Sequence, residues 1–206
     1  PGNGAGLQAV SGAPWWRQVE AASWLSPEGS DSTIEERLDH PVVHISHRDA
    51  EAYCVWAGAR LPTEAEWEFA ARGDLVQNRY PWGNDLIVDN AHACNIWQGQ
   101  FPNHNSADDG FVGTAPVDAF PPNAFGLYNT VGNAWEWCAD WFHPTFHARA
   151  SFDDPKGPPS GNAKVMRGGS YLCHASYCFR YRVSARSSAT PDTSIGHAGF
   201  RIACDT

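Results

Sequence analysis

The sequence predicts a single α+β domain with two helices, several short strands and much irregular structure. The chain has 206 residues, 42% of them hydrophobic, which is enough to build one core. It contains 10 Trp, 19 Gly and 15 Pro, a composition typical of loop-rich folds in which large rings bury much of the surface. Helical and strand periodicities are both present but short, and neither a repeat nor a linker-like tract divides residues 1–206.

The charge balance and the hydropathy argue against several classes of protein. The formal net charge is -9, whereas a nucleic-acid-binding protein normally shows a basic face. No apolar run is long enough to cross a membrane, and no signal-peptide pattern opens the chain. Six cysteines would suggest disulfides in a secreted protein, but a chain with this much core does not need them. We therefore expect a cytoplasmic monomer with mostly free thiols and neither a nucleic-acid nor a membrane partner.

The first 45 residues are predicted to be mostly irregular. Residues 1–40 hold Trp15, Trp16 and Trp24 among turn-forming Gly, Pro and Ser, and we interpret them as a surface loop anchored by a few rings. Residues 41–45 read Pro-Val-Val-His-Ile, which is a candidate short strand.

Two helices follow, each with its own start and stop signals. Ser46 is the predicted N-cap of a helix over residues 47–57 that ends at Gly58. Four residues fall at helical spacing and predict one buried face, which makes Cys54 a small core residue: Ala50, Tyr53, Cys54 and Ala57.

The second helix begins at Thr63 and ends at Gly73. Thr63 and Glu66 form a predicted capping box. Trp67, Ala70 and Ala71 are expected to face inward. Capping, the helix dipole and solvation explain the glutamates of this helix more simply than an acid–base role does.

Two Asx-rich stretches, one around Asn95–Asp109 and one around Asn129–Glu136, supply oxygen atoms of the kind that calcium prefers. Neither has the spacing of an EF-hand, so the residues alone favour ordinary turns. Residues 80–84 and 121–123 are also predicted turns, and residues 151–163 a loop.

The stretch from Arg167 to Cys178 carries the strongest chemical signal. A strand beginning at Val165 leads into a Gly-Gly pair, after which Cys173 and Cys178 stand in a C-x4-C spacing. Residues 179–186 alternate apolar with polar side chains, the period of a half-buried strand, and residues 199–203 predict a final strand. One thiol is thus expected on a turn and the other at a strand entrance.

Two neighbouring thiols could form a disulfide, bind a soft metal ion or carry out redox chemistry, and the spacing does not separate these alternatives. Thiolates suit Cu(I), whereas zinc would want four ligands. Cationic groups close in sequence could lower the pKa of a thiol; they are His174, Arg180 and Arg182.

This cysteine stretch resembles the active-site region of the formylglycine-generating enzymes, the sulfatase-modifying factors. Further matching motifs span about residues 40–205: Arg60–Glu68, Tyr80–Gly83, Asn95–Gly99, Gly126–Trp137, Thr190–Asp192 and Gly199–Arg201. The resemblance implies a C-type-lectin-like α+β fold. It also implies an oxidase that uses copper and O2 to convert the cysteine of a C-x-P-x-R motif in an unfolded sulfatase into Cα-formylglycine.

The same resemblance implies roles for individual residues. Cys173 and Cys178 match the two copper-binding, catalytic cysteines, and Ser170 and Trp135 match residues near the oxygen pocket. Two structural calcium sites are implied, which reverses the preference for ordinary turns. One would use Asn95, the carbonyl of Ile96, Asp109 and the carbonyl of Phe111; the other would use Asn129, the carbonyls of Gly132 and Ala134, and Glu136.

The sequence departs from the family pattern in two respects. Of the two extra disulfides of the secreted animal members, only Cys54 matches a cysteine; the other positions hold Ile202, Ala71 and Val183, in keeping with a bacterial, cytoplasmic type. The usual N-terminal strand-rich segment with an Ile-Pro-Gly-Gly-like motif is absent from these residues. A lectin-like module that binds a peptide without turnover remains the alternative.

Overall fold

The computed structural model describes residues 8–10, 13–149, 151 and 153–205. It contains two helices of the predicted bounds, α1 at His47–Ala57 and α2 at Glu64–Arg72, and a short 3-10 helix at Phe146–Arg149. The strands are two to seven residues long: β1 Gln8–Val10, β2 Ala13–Gln18, β3 Ile87–Val88, β4 Ala91–His92, β5 Gly99–Gln100, β6 His104–Asn105, β7 Trp135–Trp141, β8 Lys164–Arg167, β9 Ser187–Ala189 and β10 Ala198–Phe200. The predicted α+β class with little regular structure is confirmed.

A four-stranded sheet lies at the centre of the fold, in the order β10-β7-β8-β9. β10 runs parallel to β7, and the other neighbours are antiparallel. Every residue of β8 is buried, and α2 packs against both β7 and β8. This sheet holds the start of the cysteine stretch in place, since β8 ends at Arg167.

Both helices have the predicted caps. The Ser46 and Thr63 side chains each accept a hydrogen bond from the third helical N–H, and the Asp49 and Glu66 carboxylates in turn accept one from the N–H of the cap residue. The C-cap of α1 is Gly58 in the left-handed region. Cys54 is buried, as predicted.

The predicted buried face of α1 is wrong at two positions. Tyr53 is 45% exposed and Ala57 is also exposed, whereas His47 is fully buried with Ala50 and Cys54. The buried face of α1 is therefore narrower than the apolar pattern suggests. The burial of the polar His47 ring is compensated by a hydrogen bond, since its Nε2 lies 3.1 Å from the Cys138 carbonyl oxygen.

Three predictions about strands are corrected. Residues 13–18 are not loop but form a hairpin with β1, whereas the predicted strand at 41–45 is absent because Pro41 lacks an N–H and His44 has a positive φ of 58°. Residues 179–186 bury alternate side chains as predicted but form a turn, since the Ala185 N–H donates to the Arg182 carbonyl at 2.9 Å.

A candidate two-cysteine metal centre

Two glycines turn the chain out of β8 toward the thiols. Gly168 and Gly169 have φ angles of 92° and 77°, which L-residues rarely adopt. A Cβ at Gly168 would lie 2.9 Å from the Thr130 carbonyl oxygen, and one at Gly169 would lie 3.0 Å from the Tyr181 backbone. The turn at these two glycines packs closely against Thr130 and Tyr181, and the next residue, Ser170, is fully buried in the core.

Hydrogen-bonded turns place both cysteines. The Cys173 N–H donates to the Ser170 carbonyl at 2.9 Å, and the Cys178 N–H donates to the His174 carbonyl at 2.7 Å. The prediction that Cys173 lies on a turn is confirmed, whereas Cys178 closes a turn rather than opening a strand. The reason is that residues 179–186 form a turn and make no strand-to-strand hydrogen bonds.

The two sulfur atoms lie next to each other in a nearly dry position. They are 2.7 Å apart, longer than the ~2.05 Å of a disulfide bond, and all six cysteines of the chain are free thiols. Only 1% of Cys173 and 7% of Cys178 is exposed. The disulfide alternative is therefore not the state seen in the structure.

The two thiols differ in acidity. The hydrogen bond from Cys173, assisted by the Arg180 guanidinium 3.9 Å away, lowers the pKa of Cys178 to about 7. The shared hydrogen bond and burial raise the pKa of Cys173 above its ordinary value. Cys178 is thus the thiolate of the pair near neutral pH, and Arg180 is the predicted cation that reaches it.

The other two predicted catalytic residues, Ser170 and Trp135, are both buried. Ser170 carries the carbonyl that anchors Cys173, and its Oγ accepts the Leu172 N–H at 3.3 Å. Trp135 begins β7, donates its N–H to the His197 carbonyl at 2.8 Å and belongs to the same buried cluster as both thiols. Ser170 is thus joined directly to Cys173, whereas Trp135 shares only the hydrophobic core with the two thiols.

Aromatic side chains form a wall beside the thiols, and the sequence analysis did not predict it. Phe101 stacks on Tyr177 with ring centroids 4.8 Å apart, and Trp15 meets both rings edge-on at 5.4 and 5.0 Å. Trp16 donates from Nε1 to the Tyr177 hydroxyl at 3.3 Å. Trp97 packs on Phe101 and donates its N–H to the Cys173 carbonyl at 3.1 Å. These contacts join residues up to 161 positions apart, so no local signal could have found them.

The first predicted calcium loop brings some of the predicted ligand residues together. The Asp109 carboxylate accepts the N–H groups of Ile96 and Phe111 at 3.0 and 2.9 Å. The Gln98 amide nitrogen contacts both the Ile96 carbonyl and Asp109, so these two oxygens lie close together. The buried Oδ1 of Asn95 has no hydrogen-bond partner. A carboxylate and a buried, unsatisfied amide oxygen in the same loop are ligands of the kind that a hard cation takes.

The second predicted calcium loop fits less directly. The buried Oδ1 of Asn129 also lacks a partner, and Asn129, Ala134 and Glu136 line one cavity of about 590 Å³. However, the Glu136 carboxylate already accepts hydrogen bonds from Trp67 Nε1 at 2.6 Å and from Arg201. Gly132 lies in the intervening turn, where its N–H donates to the Gly168 carbonyl at 2.9 Å.

Soft-metal binding is compatible with the two thiols. Within the described residues no group of three or more His, Cys, Asp or Glu side chains is placed to hold a metal. Zinc normally takes four such ligands, whereas Cu(I) is satisfied by few soft sulfur donors. By the chemistry of this donor set, Cu(I) is the ion that Cys173 and Cys178 fit.

Comparison with known proteins identifies the family of the chain. Residues 3–206 match the family model of the sulfatase-modifying factor enzyme 1-like domain. The chain is 58% identical over 208 residues to the formylglycine-generating enzyme of Thermomonospora curvata and 59% identical over 198 residues to that of Bos taurus. The match to the Thermomonospora curvata enzyme covers 100% of this chain and 69% of that enzyme. The match to the Bos taurus enzyme covers 96% of this chain and 53% of that enzyme. The chain therefore spans between about half and two thirds of the length of these curated relatives.

A solved structure supports the fold. The structure of PvdO from Pseudomonas aeruginosa superposes with a TM-score of 0.66 at 27% identity and covers 80% of this chain and 61% of that one.

Proposed function

The chain belongs to the sulfatase-modifying factor enzyme 1-like family, and from this premise we propose that it is a formylglycine-generating enzyme that matures sulfatases. The pair of free, adjacent thiols at Cys173 and Cys178 is the observation that carries the proposal. The substrate is the cysteine of a C-x-P-x-R motif in an unfolded sulfatase, and the product is Cα-formylglycine.

The proposed reaction has a definite balance. The side chain CH2SH and one O2 give an aldehyde, sulfide and water once two electrons and two protons are supplied. The Cβ–S bond and a Cβ–H bond break, and the carbonyl C=O bond forms. A thiol reductant, which becomes a disulfide, supplies the two electrons and the two protons.

Cu(I), held by Cys173 and Cys178, would supply the one-electron and O2 chemistry that side chains alone lack. The protein positions and insulates the reacting groups. The turns fix both sulfur atoms, and their burial excludes bulk water from the pair. Arg180 stabilises negative charge on Cys178, and we propose that the buried Ser170 and Trp135 line the oxygen pocket.

Two supporting features belong to the same proposal. Calcium at the loops of Asn95–Asp109 and Asn129–Glu136 would be structural, because these loops lie outside the cysteine turn and order long irregular segments. Six free thiols support a reducing, cytoplasmic location, and a monomer is the simplest state to propose. Among the described residues, no helix has the length and apolarity that a membrane span needs.

Mass spectrometry of a C-x-P-x-R peptide tests the function. The peptide is incubated with the protein and a thiol reductant in air, with and without Cu(I), and conversion of cysteine to aldehyde is followed. We expect copper-dependent conversion that Cys173→Ser and Cys178→Ser abolish while leaving the circular dichroism spectrum unchanged. Cys204→Ser, which changes an exposed thiol elsewhere, is the matched control and keeps full activity.

Two outcomes would contradict the proposal. Conversion that survives in either site variant would refute the copper assignment. An absence of both conversion and tight Cu(I) binding in the wild-type chain would leave the lectin-like, non-catalytic module as the better description.

A further inference from the structure

Both lysines of the chain line one cavity outside the two-cysteine centre. The sequence contains two lysines, Lys156 and Lys164, and each lines a cavity of about 1060 Å³. Its wall is formed by parts of α1, β7 and the loop of residues 153–163, and includes neither Cys173 nor Cys178. The Lys156 side chain is 69% exposed, whereas Lys164 is 8% exposed. The same cavity thus holds two lysines in opposite environments.

Lys164 is a buried amine with few polar partners. It begins β8 opposite Trp141 of β7, and its Nζ donates to the Ala139 carbonyl at 2.7 Å. The same Nζ lies 4.3 Å from the centre of the Trp141 ring. An ammonium group has more N–H donors than this single hydrogen bond uses. Much of the hydration that Lys164 loses on burial is therefore not replaced.

Lys164 also lacks the carboxylate partner that the other cations of the cavity have. Those cations are paired as follows: Arg60 with Glu66 and Asp205, and Lys156 with Asp154. In the part of the chain that the structure describes, no carboxylate forms an ion pair with Lys164. Because an unpaired buried charge is costly, this environment favours the uncharged amine.

The electrostatics of the wall act in the same direction. Burial lowers the pKa of Lys164, and the carboxylates of Glu51 and Asp140 only partly oppose this effect. Asp140 is itself held by two backbone N–H groups. His47, fully buried on α1, is the other titratable group within electrostatic reach of the amine. A desolvated lysine of this kind is a nucleophile, because its neutral nitrogen has a free lone pair.

We propose that Lys164 is a covalent site for a small uncharged aldehyde, which enters the cavity and forms an imine with Nζ. Apolar surface for the hydrocarbon part comes from Trp141, Pro158 and Pro159. The carboxylates of the wall outnumber its cations and disfavour an anionic ligand; they are Glu51, Glu66, Asp140, Asp154 and Asp205. The proposal goes beyond the oxidase function, since it uses no residue of the two-cysteine centre.

The step balances without an oxidant or a reductant. The nitrogen lone pair attacks the carbonyl carbon, and a proton moves from nitrogen to oxygen to give a carbinolamine. The carbinolamine then loses its hydroxyl group and the remaining N–H proton as one water, which leaves the C=N bond. Water reverses the reaction, so the site holds the aldehyde reversibly.

Reductive trapping tests the site in the wild-type protein. The chain is mixed with benzaldehyde and sodium cyanoborohydride, which reduces an imine to a stable benzylamine, and is then cleaved with trypsin. Trypsin does not cut after a benzylated lysine. Label on Lys164 therefore leaves residues 157–167 as one peptide, whereas label on Lys156 leaves residues 150–164. We expect the first peptide to predominate, although Lys156 is the more exposed lysine.

Matched variants and a second probe complete the test. By intact mass, Lys164→Arg should lose most of the label and Lys156→Arg should keep it. Labelling of Lys164 should saturate with benzaldehyde concentration, and pyridoxal 5′-phosphate, an anionic aldehyde, should label it less.

Three results would overturn the inference. They are label mainly on Lys156 or the α-amino group, labelling of Lys164 that does not saturate, and stronger labelling of Lys164 by the anionic aldehyde than by benzaldehyde. The peptide map of the wild-type chain decides the first of these, so the test does not depend on the folding of a variant.

Discussion

Burial determines the roles of several polar side chains in this chain. Capping, the helix dipole and solvation were expected to explain the glutamates of α2, but Glu64 is 3% exposed and binds Arg167 and Arg186. His197 is 6% exposed, and its Nδ1 has no hydrogen-bond partner. Neither position could be predicted from sequence, because what buries each side chain comes from distant parts of the chain: Trp16 packs on His197 with ring centroids 4.7 Å apart.

His197 should make the stability of the fold depend on pH. Burial, with a smaller contribution from His44, lowers the pKa of His197 to about 4 from its unfolded value near 6.5. The folded state thus favours the neutral ring. The stabilisation is complete above pH 6.5 and is lost as the pH falls toward 4, by at most about 3 kcal/mol.

Urea unfolding at several pH values checks this prediction. The free energy of unfolding should fall between pH 6.5 and 4 in the wild-type chain and fall less in His197→Asn. His104→Asn, at an exposed position, is the control and should follow the wild-type curve. Equal slopes in His197→Asn and the wild-type chain would show that other groups, such as the buried His47, account for the pH dependence.

The cysteine pair shows how much of the candidate site can be predicted from residue types and their spacing. The C-x4-C spacing and the Gly-Gly pair identified the thiols, and Arg180 was among the three cations expected to influence them. The spacing could not select Arg180 from Arg182, which instead packs on Phe179 at 4.7 Å, or from His174, which contacts Ser176. That choice depends on side-chain directions after a turn, which the alternating pattern of residues 179–186 misrepresents.

Helices were predictable and strands largely were not, for a physical reason. The signals of α1 and α2 are local, because cap, box and C-terminal glycine all lie within a few residues of the helix. Most strands here have two to four residues, and the strands of the central sheet have partners far along the chain, as β10 pairs with β7. A pattern two residues long carries no period, so pairing is decided by the assembled core.

The irregular loop between Asn95 and Asp109 should need a cation. Its buried Asn95 Oδ1 has no partner, and a calcium ion beside Asp109 would satisfy it. Calcium added to chelator-treated protein should raise the melting temperature by several degrees, since a ligand at 100 times its Kd contributes about 2.7 kcal/mol.

Matched variants locate that effect. Asp109→Asn should lower the number of calcium ions bound per chain, measured by titration calorimetry, while the adjacent exposed Asp108→Asn should not. A wild-type chain whose melting temperature ignores both calcium and chelator would refute this site.

The fold as a whole depends on a buried ionic junction between its helical and sheet layers. Arg167, at the end of β8 and 1% exposed, donates to Glu64 of α2 at 2.9 Å and to the Val183 carbonyl at 2.6 Å. It also pairs with Glu68 and lies over the Trp67 ring. One guanidinium thus joins helix, strand and the chain that follows the cysteines.

Replacing Arg167 should destabilise the protein far more than breaking an exposed pair on the same helix. Arg60 holds Glu66 with two hydrogen bonds of 2.6 and 2.7 Å, but the two side chains are 38% and 43% exposed, against 1% and 4% for Arg167 and Glu64. Solvent screens the exposed pair, which contributes about 1 kcal/mol or less. Removing one partner of the buried pair leaves a charge without compensation and costs about 3–5 kcal/mol.

We therefore expect Arg167→Met to lower the melting temperature by roughly 10 °C and Arg60→Met by a few degrees at most, measured by calorimetry. Equal losses would mean that Arg186, which also binds Glu64, compensates for the missing guanidinium.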